Sequence, residues 1–210
     1  MWTNIVNFSK SFAEVKEVVK SGRKAFDFER LTPMPTEFKG YHFFSKRKGE
    51  SEKQSESRFY ENRQKYGAEA GCSWMNKFWG TSSNCFEVEV LLNGFKFKTT
   101  WGTPDIVIKK LSEIFKDVEI TVQYAEKSSN PDQCGTYTYL NGEKTQEDQD
   151  GDMELARQIL GFFYEDCSVC DKEIITDNDD NPMCDDCWHE LNDRKVKEAK
   201  KLKRMMQKAM

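Results

Sequence analysis

A chain of 210 residues with 37% hydrophobic, 13% aromatic and 32% charged residues can build one generous domain or a medium domain with an appendage, and is too rich in core formers for wholesale disorder. No apolar run approaches the ~20 residues that cross a bilayer, and residues 1–10 lack the basic, apolar and cleavage segments of a signal peptide, so the expectation is a cytoplasmic protein without a membrane partner. The formal net charge of −4 hides a split: residues 1–142 hold 21 basic and 18 acidic side chains, residues 143–193 hold 3 and 17, and residues 194–210 hold 8 and 1, which modules explain better than one uniform surface.

Residues 1–8 alternate as a strand. Ser11 and Glu14 suit a capping box for a helix striped by Phe12, Val15, Val18 and Val19, with Gly22 beyond its end. Residues 26–30 read as a short second strand, stopped by Pro33-Met34-Pro35. Residues 46–65 are polar enough to be an exposed insertion, helical in the second half, and residues 66–79 read as a helix ending near Gly80. The clearest local signal is a hairpin, residues 85–92 and 95–101, about the turn Asn93-Gly94. That register pairs Leu92 with Phe95, Val90 with Phe97 and Glu89 with Lys98, and places Phe86, Val88, Val90, Leu92, Phe95, Phe97 and Trp101 on a core face. Pro104 opens a helix carrying Ile106, Ile108, Leu111, Ile114 and Phe115. Residues 118–124 and 135–140 alternate as strands, Asn141-Gly142 follows, the acidic stretch 143–152 reads as a solvated linker, and a last helix spans about 152–163. The pattern predicts an α+β fold, an antiparallel sheet with helices on one face.

Several of these motifs, in this order, resemble the YubB ferredoxin-like family of phage and plasmid proteins over about residues 1–142. They are Trp2 and Asn4, Pro33-Met34-Pro35, Trp79-Gly80-Thr81, the junction Thr100-Trp101-Gly102-Thr103-Pro104, and Tyr124 followed by Gly135 and Asn141-Gly142. The resemblance implies a ferredoxin-like fold and a mobile-element origin, and brings no catalytic residues with it. The 46–65 insertion and the cysteine-rich C-terminus depart from the pattern.

The C-terminal cysteines carry the sharpest chemistry. Cys167, Cys170, Cys184 and Cys187 form Cys-x2-Cys-x13-Cys-x2-Cys, two tight knuckles able to direct four thiolates at one ion. A reducing compartment favours metal over disulfides, and four thiolates leave no open coordination position, so the expectation is one structural Zn2+. The intervening residues suit a hairpin turning at Asp179-Asp180-Asn181-Pro182, and the second pair opens a long helix, an arrangement similar to treble-clef fingers. The predicted division is a ferredoxin-like domain over 1–163 and a zinc-finger module over 164–210. Cys72, Cys85 and Cys134 read as small core or boundary residues.

Nucleic acid has three points of appeal. The zinc module is a poor one, because four thiolates on one Zn2+ and the nearby Asp166, Asp171, Asp185 and Asp186 repel phosphate. Phe95 and Phe97 echo an RNA-recognition motif, but exposing them would bury Lys96 and Lys98, which costs more than the ~1–3 kcal/mol that base stacking returns. The terminal helix carries Arg194, Lys197, Lys200, Lys201, Lys203 and Arg204, which suit a phosphate backbone, a protein partner or simply the helix dipole. With only His42 and His189, and no phosphate-cradling glycine loop, no catalytic set is evident. The expected function is a non-enzymatic binding protein that engages a host protein, a defence component being one such partner. The alternative is nucleic-acid association through the basic C-terminal helix.

Overall fold

Strand alternation and short turns order the chain. The computed structural model describes residues 1–40, 46–126, 133–149, 153–161, 163–166, 168–170, 173–176, 184, 186–194 and 197. The chain divides into Met1–Leu160 and Gly161–Met210. The first unit runs β1 (Trp2–Phe8), α1 (Phe12–Val19), two short 3-10 turns, α2 (Glu52–Tyr66), α3 (Gly71–Trp79), β2 (Phe86–Val90), β3 (Gly94–Thr99), α4 (Asp105–Ile114), β4 (Ile120–Glu126), β5 (Cys134–Leu140), β6 (Glu143–Asp148) and α5 (Met153–Leu160). The second contains β7 (Phe163–Asp166) and β8 (Glu173–Thr176).

The first-unit sheet is six-stranded and antiparallel, in the order β2-β3-β1-β4-β5-β6. Its β1-α1-β2-β3-α4-β4 part is the ferredoxin-like βαββαβ arrangement, widened by β5 and β6. Even-numbered residues of β1 and β4 (Val6, Phe8, Ile120, Val122) meet Phe95 and Phe97 of β3 and Tyr137 and Tyr139 of β5 in the main core. That core also takes Phe12, Val15 and Val19 from α1, Trp74, Met75 and Trp79 from α3, and Val107, Ile108 and Leu111 from α4.

The other face is not bare, which corrects the expectation of helices on one side. Ile5, Ala125 and Cys134 have the opposite strand parity, and they pack against Leu155, Ala156, Ile159 and Leu160 of α5. The terminal helix of this unit therefore closes a second, smaller core, and Cys134 is 1% exposed within it.

Three local expectations also change. Residues 26–30 are not a strand: Asp27 Oδ1 accepts from the Glu29 N–H at 3.2 Å and caps a 3-10 turn over Phe28–Arg30. Ser11 is left-handed (φ 57°) and makes no side-chain cap. In α4 the inward face is Val107, Ile108 and Leu111, while Ile106 and Ile114 are exposed.

The hairpin forms with a different turn. The Leu91 N–H donates to Gly94 O at 2.9 Å, and Val90 pairs with Phe95 and Glu89 with Lys96, so Leu92-Asn93 is the turn. A slip of two residues preserves strand parity: Phe95 and Phe97 stay fully buried while Leu92, at the tip, is 91% exposed. The Asn-Gly turn proper falls at Asn141-Gly142 (φ 52° and 76°), which joins β5 to β6 with Leu140 opposite Glu143. Much of the acidic linker is thus an edge strand, exposed along its length.

The 46–65 insertion ends in α2, whose start carries a complete capping box, Ser51 with Gln54. Its docked face is polar: Asn62 Nδ2 donates to Glu69 O at 3.0 Å, and Arg58 forms a 2.8 Å ion pair with Glu50. With so little apolar anchoring the cap matters, and Ser51→Ala is expected to cost about 1 kcal/mol, read as a lowered urea midpoint.

Candidate metal centre

Antiparallel pairing runs from Phe163 opposite Thr176 to Asp166 opposite Glu173, so Cys170 lies in the connection between β7 and β8, with residues 168–170 in a turn. The hairpin expected between Cys170 and Cys184, with its turn at residues 179–182, lies outside the described residues apart from β8. After Cys184, residues 186–194 are helical, and the Trp188 N–H donates to Cys184 O at 2.9 Å. Cys187 sits in the first turn, so the positive end of the helix lies at the cluster and favours anionic sulfur.

The hairpin tip and helix start bring Cys170, Cys184 and Cys187 together, their three sulfurs all within 4.8 Å of one another. Cys170 Sγ and Cys184 Sγ are 3.7 Å apart, well beyond the ~2.05 Å of a disulfide. Cys184 is 6% exposed and Cys187 partly exposed. Three such sulfurs can hold a metal ion. Cys167 lies outside the described residues, as do Lys200, Lys201, Lys203 and Arg204. Arg194, ion-paired with Glu190 at 2.5 Å, and Lys197 are exposed.

Residues 83–162 match a family model described as "Ferredoxin-like domain in Api92-like protein". The match runs from just before β2 to just beyond α5 and takes in both layers of helix on the sheet. The matched residues are those of β2 to α5, within the sheet whose order is the ferredoxin-like arrangement described above. No curated protein and no solved structure matches the chain. Among the described residues no helix is long and apolar enough to cross a membrane.

Titratable groups of the first unit form structural clusters. Tyr139 Oη donates to Asp105 at 3.2 Å, and Lys144 Nζ lies 3.3 Å from Asp105 and 4.9 Å from the Tyr137 ring centroid. Burial, then Asp105, pushes Tyr139 up to about 12. The Arg58 guanidinium holds Glu50 down to about 2. These shifts run away from neutrality, where a general acid or base works. Burial, then Asp27, pushes the Cys85 thiol up to about 12, and its Sγ donates to Phe26 O at 3.2 Å. Cys85 is accordingly expected to resist iodoacetamide at pH 8 in the native protein and to react once unfolded, as mass spectrometry of digests will read.

Sequence reasoning missed Trp101. It was placed on the core face, yet it is 82% exposed with φ 58°. The signal was present in the residues that follow: Gly102-Thr103-Pro104 ends a strand rather than extending it, so alternation should have stopped at Thr99.

Proposed function

We propose that this is a non-enzymatic binding protein of phage or plasmid origin, acting on a host protein, whose C-terminal unit is a treble-clef-like finger around one structural zinc ion. Cys167, Cys170, Cys184 and Cys187 are its ligands. The observation that carries the metal reading is the sulfur spacing: Zn–S bonds of about 2.3 Å in a tetrahedron separate sulfurs by roughly 3.8 Å, against 3.7 Å for Cys170 and Cys184. A hairpin tip and a helix start supplying cysteines to one ion suit such a finger, and Cys167 stands three positions before Cys170 in the sequence. A site filled by four thiolates supplies architecture rather than chemistry.

The binding role is supported by the separate C-terminal unit that follows the ferredoxin-like domain in the chain. The YubB resemblance supplies the mobile-element origin and hence a host partner, for instance a defence component. Affinity capture from nuclease-treated host lysate, with the intact chain and with residues 194–210 deleted, tests the role. A single host protein recovered reproducibly, and retained by direct titration of the purified pair, supports it. Recovery of no reproducible partner contradicts it, and capture that vanishes with nuclease and with the tail assigns the protein to nucleic acid through Arg194 and the lysines beyond.

A further inference from the structure

We infer that the end of the sheet carrying Trp101 is a binding site for single-stranded nucleic acid, with the indole as a stacking platform beside a cationic phosphate seat. This goes beyond the reading above, because it concerns the first unit alone and does not use the basic tail.

Trp101 is a large apolar ring, 82% exposed, on a backbone with φ 58°. That left-handed conformation is rare for a bulky side chain and persists only where the surroundings impose it. They do so on both flanks. Thr100 O accepts from Thr81 Oγ1 at 2.5 Å and from the Ser82 N–H at 3.1 Å, and the Thr100 N–H donates to Ser83 Oγ at 3.1 Å. Gly102 O accepts from Thr99 Oγ1 at 2.8 Å, and that hydroxyl in turn accepts from the fully buried Asn4 Nδ2 at 2.9 Å. The junction is pinned, so the ring is held out rather than left loose.

A concavity of about 260 Å3 is lined by Lys16, Lys20, Arg23 and Lys24, with Glu17 as its one acid. Its rim is the tight turn Ser21–Lys24, closed by backbone bonds of 3.0 and 2.9 Å. Polar contacts run from this turn to the backbone of Thr100, the residue before Trp101. Lys24 Nζ lies 3.6 Å from Asp27, Asn84 Nδ2 donates to Asp27 at 2.6 Å, and the neighbouring Ser83 holds Thr100.

A phosphodiester strand supplies both complements, anionic oxygens and flat unpaired bases, and stacking on an indole tolerates any base. Duplex hides those faces. An acidic protein surface offers the charge, but protein hot spots sit within packed apolar contacts, whereas the residues pinned beside Trp101 are Ser82, Ser83, Thr100 and Gly102. Phe95 and Phe97 are fully buried, so the sheet face offers no competing platform.

Fluorescence anisotropy of the full, metal-replete chain with a short labelled oligothymidylate tests this. The expected result is binding with tryptophan quenching and a log–log salt slope of about −2 to −3, from some three or four phosphates. Trp101→Gly, which suits the backbone, and the pair Lys20→Glu with Arg23→Glu should each weaken binding about tenfold or more, with the thermal midpoint of Trp101→Gly not lowered. Lys53→Glu on α2 and deletion of 194–210 should change little. The inference is overturned by no binding at low salt, by undiminished binding of Trp101→Gly, by loss on tail deletion, or by equal affinity for polyglutamate, which would assign the surface to an acidic protein. Failure of oligothymidylate binding leaves host-protein capture untouched, and failure of capture leaves oligothymidylate binding untouched, so the two readings fail separately.

Discussion

Replacing Cys184 by serine, or removing metal with a chelator, is expected to unfold residues 161–210 while leaving the 1–160 unit folded. Among the described residues the second unit has a four-residue hairpin pair and one helix, and a unit of so few residues buries too little apolar surface to offset the entropy of ordering it. A structural zinc site contributes about 10–16 kcal/mol of apparent binding free energy, and in such modules that free energy is folding free energy. Cys184 is the most buried of the three clustered cysteines, and its carbonyl anchors the first helical turn through the Trp188 N–H, so its loss removes a ligand and weakens a helix start together. Hydrogen exchange should show residues 186–194 losing protection on chelation and regaining it with added zinc. Protection in β1, β3 and β4 should stay unchanged.

Gly94→Ala should be the most damaging single-methyl change in the first unit, costing more than about 4 kcal/mol or preventing folding. A Cβ at this position would lie 1.9 Å from Val6 O and 2.9 Å from Val6 C, backbone atoms of the adjacent central strand that no rotamer change can move. Gly94 begins β3 opposite Asn7, and the Phe8 N–H donates to Asn93 O at 2.9 Å, so a shift there breaks the pairing of β1 with β3. Gly142→Ala, at a turn with φ 76°, meets first the flexible Glu113 side chain at 2.6 Å and should cost far less. Chemical denaturation of both variants separates close backbone approach from turn strain.

The same glycine explains why the hairpin was legible only in outline. Asn93-Gly94 is a strong type I′ signal, but a sequence cannot reveal that β1 approaches position 94 too closely for any side chain, and that requirement moved the turn to Leu92-Asn93. Strand parity was recoverable because a two-residue slip keeps Phe95 and Phe97 inward. The opposite-face helix was hidden for another reason: Ile5, Ala125 and Cys134 are too few and too scattered to announce a second core beside the Phe-rich one. The strand β6 was masked by its acidity, since an edge strand exposed on all sides needs only a partner and a turn. At the metal centre, cysteine spacing pointed to Cys170, Cys184 and Cys187, which the structure brings together, because a Cys-x2-Cys pair constrains its own local geometry. The hairpin flanking it depended on pairing between β7 and β8, for which spacing carries no signal. Trp101 shows the limit of alternation as a guide: hydroxyl contacts from Thr81, Ser82, Ser83 and Thr99 determine its backbone, and none is visible in a period of two.

Native mass spectrometry of the intact chain, purified without added metal or chelator, tests the central claim most directly. The account predicts a single species carrying one zinc ion, lost in Cys184→Ser, with all four C-terminal cysteines protected from alkylation until a chelator is added. A metal-free chain whose 186–194 helix keeps its exchange protection, or a Cys170–Cys184 disulfide in the protein handled under reducing conditions, would contradict it.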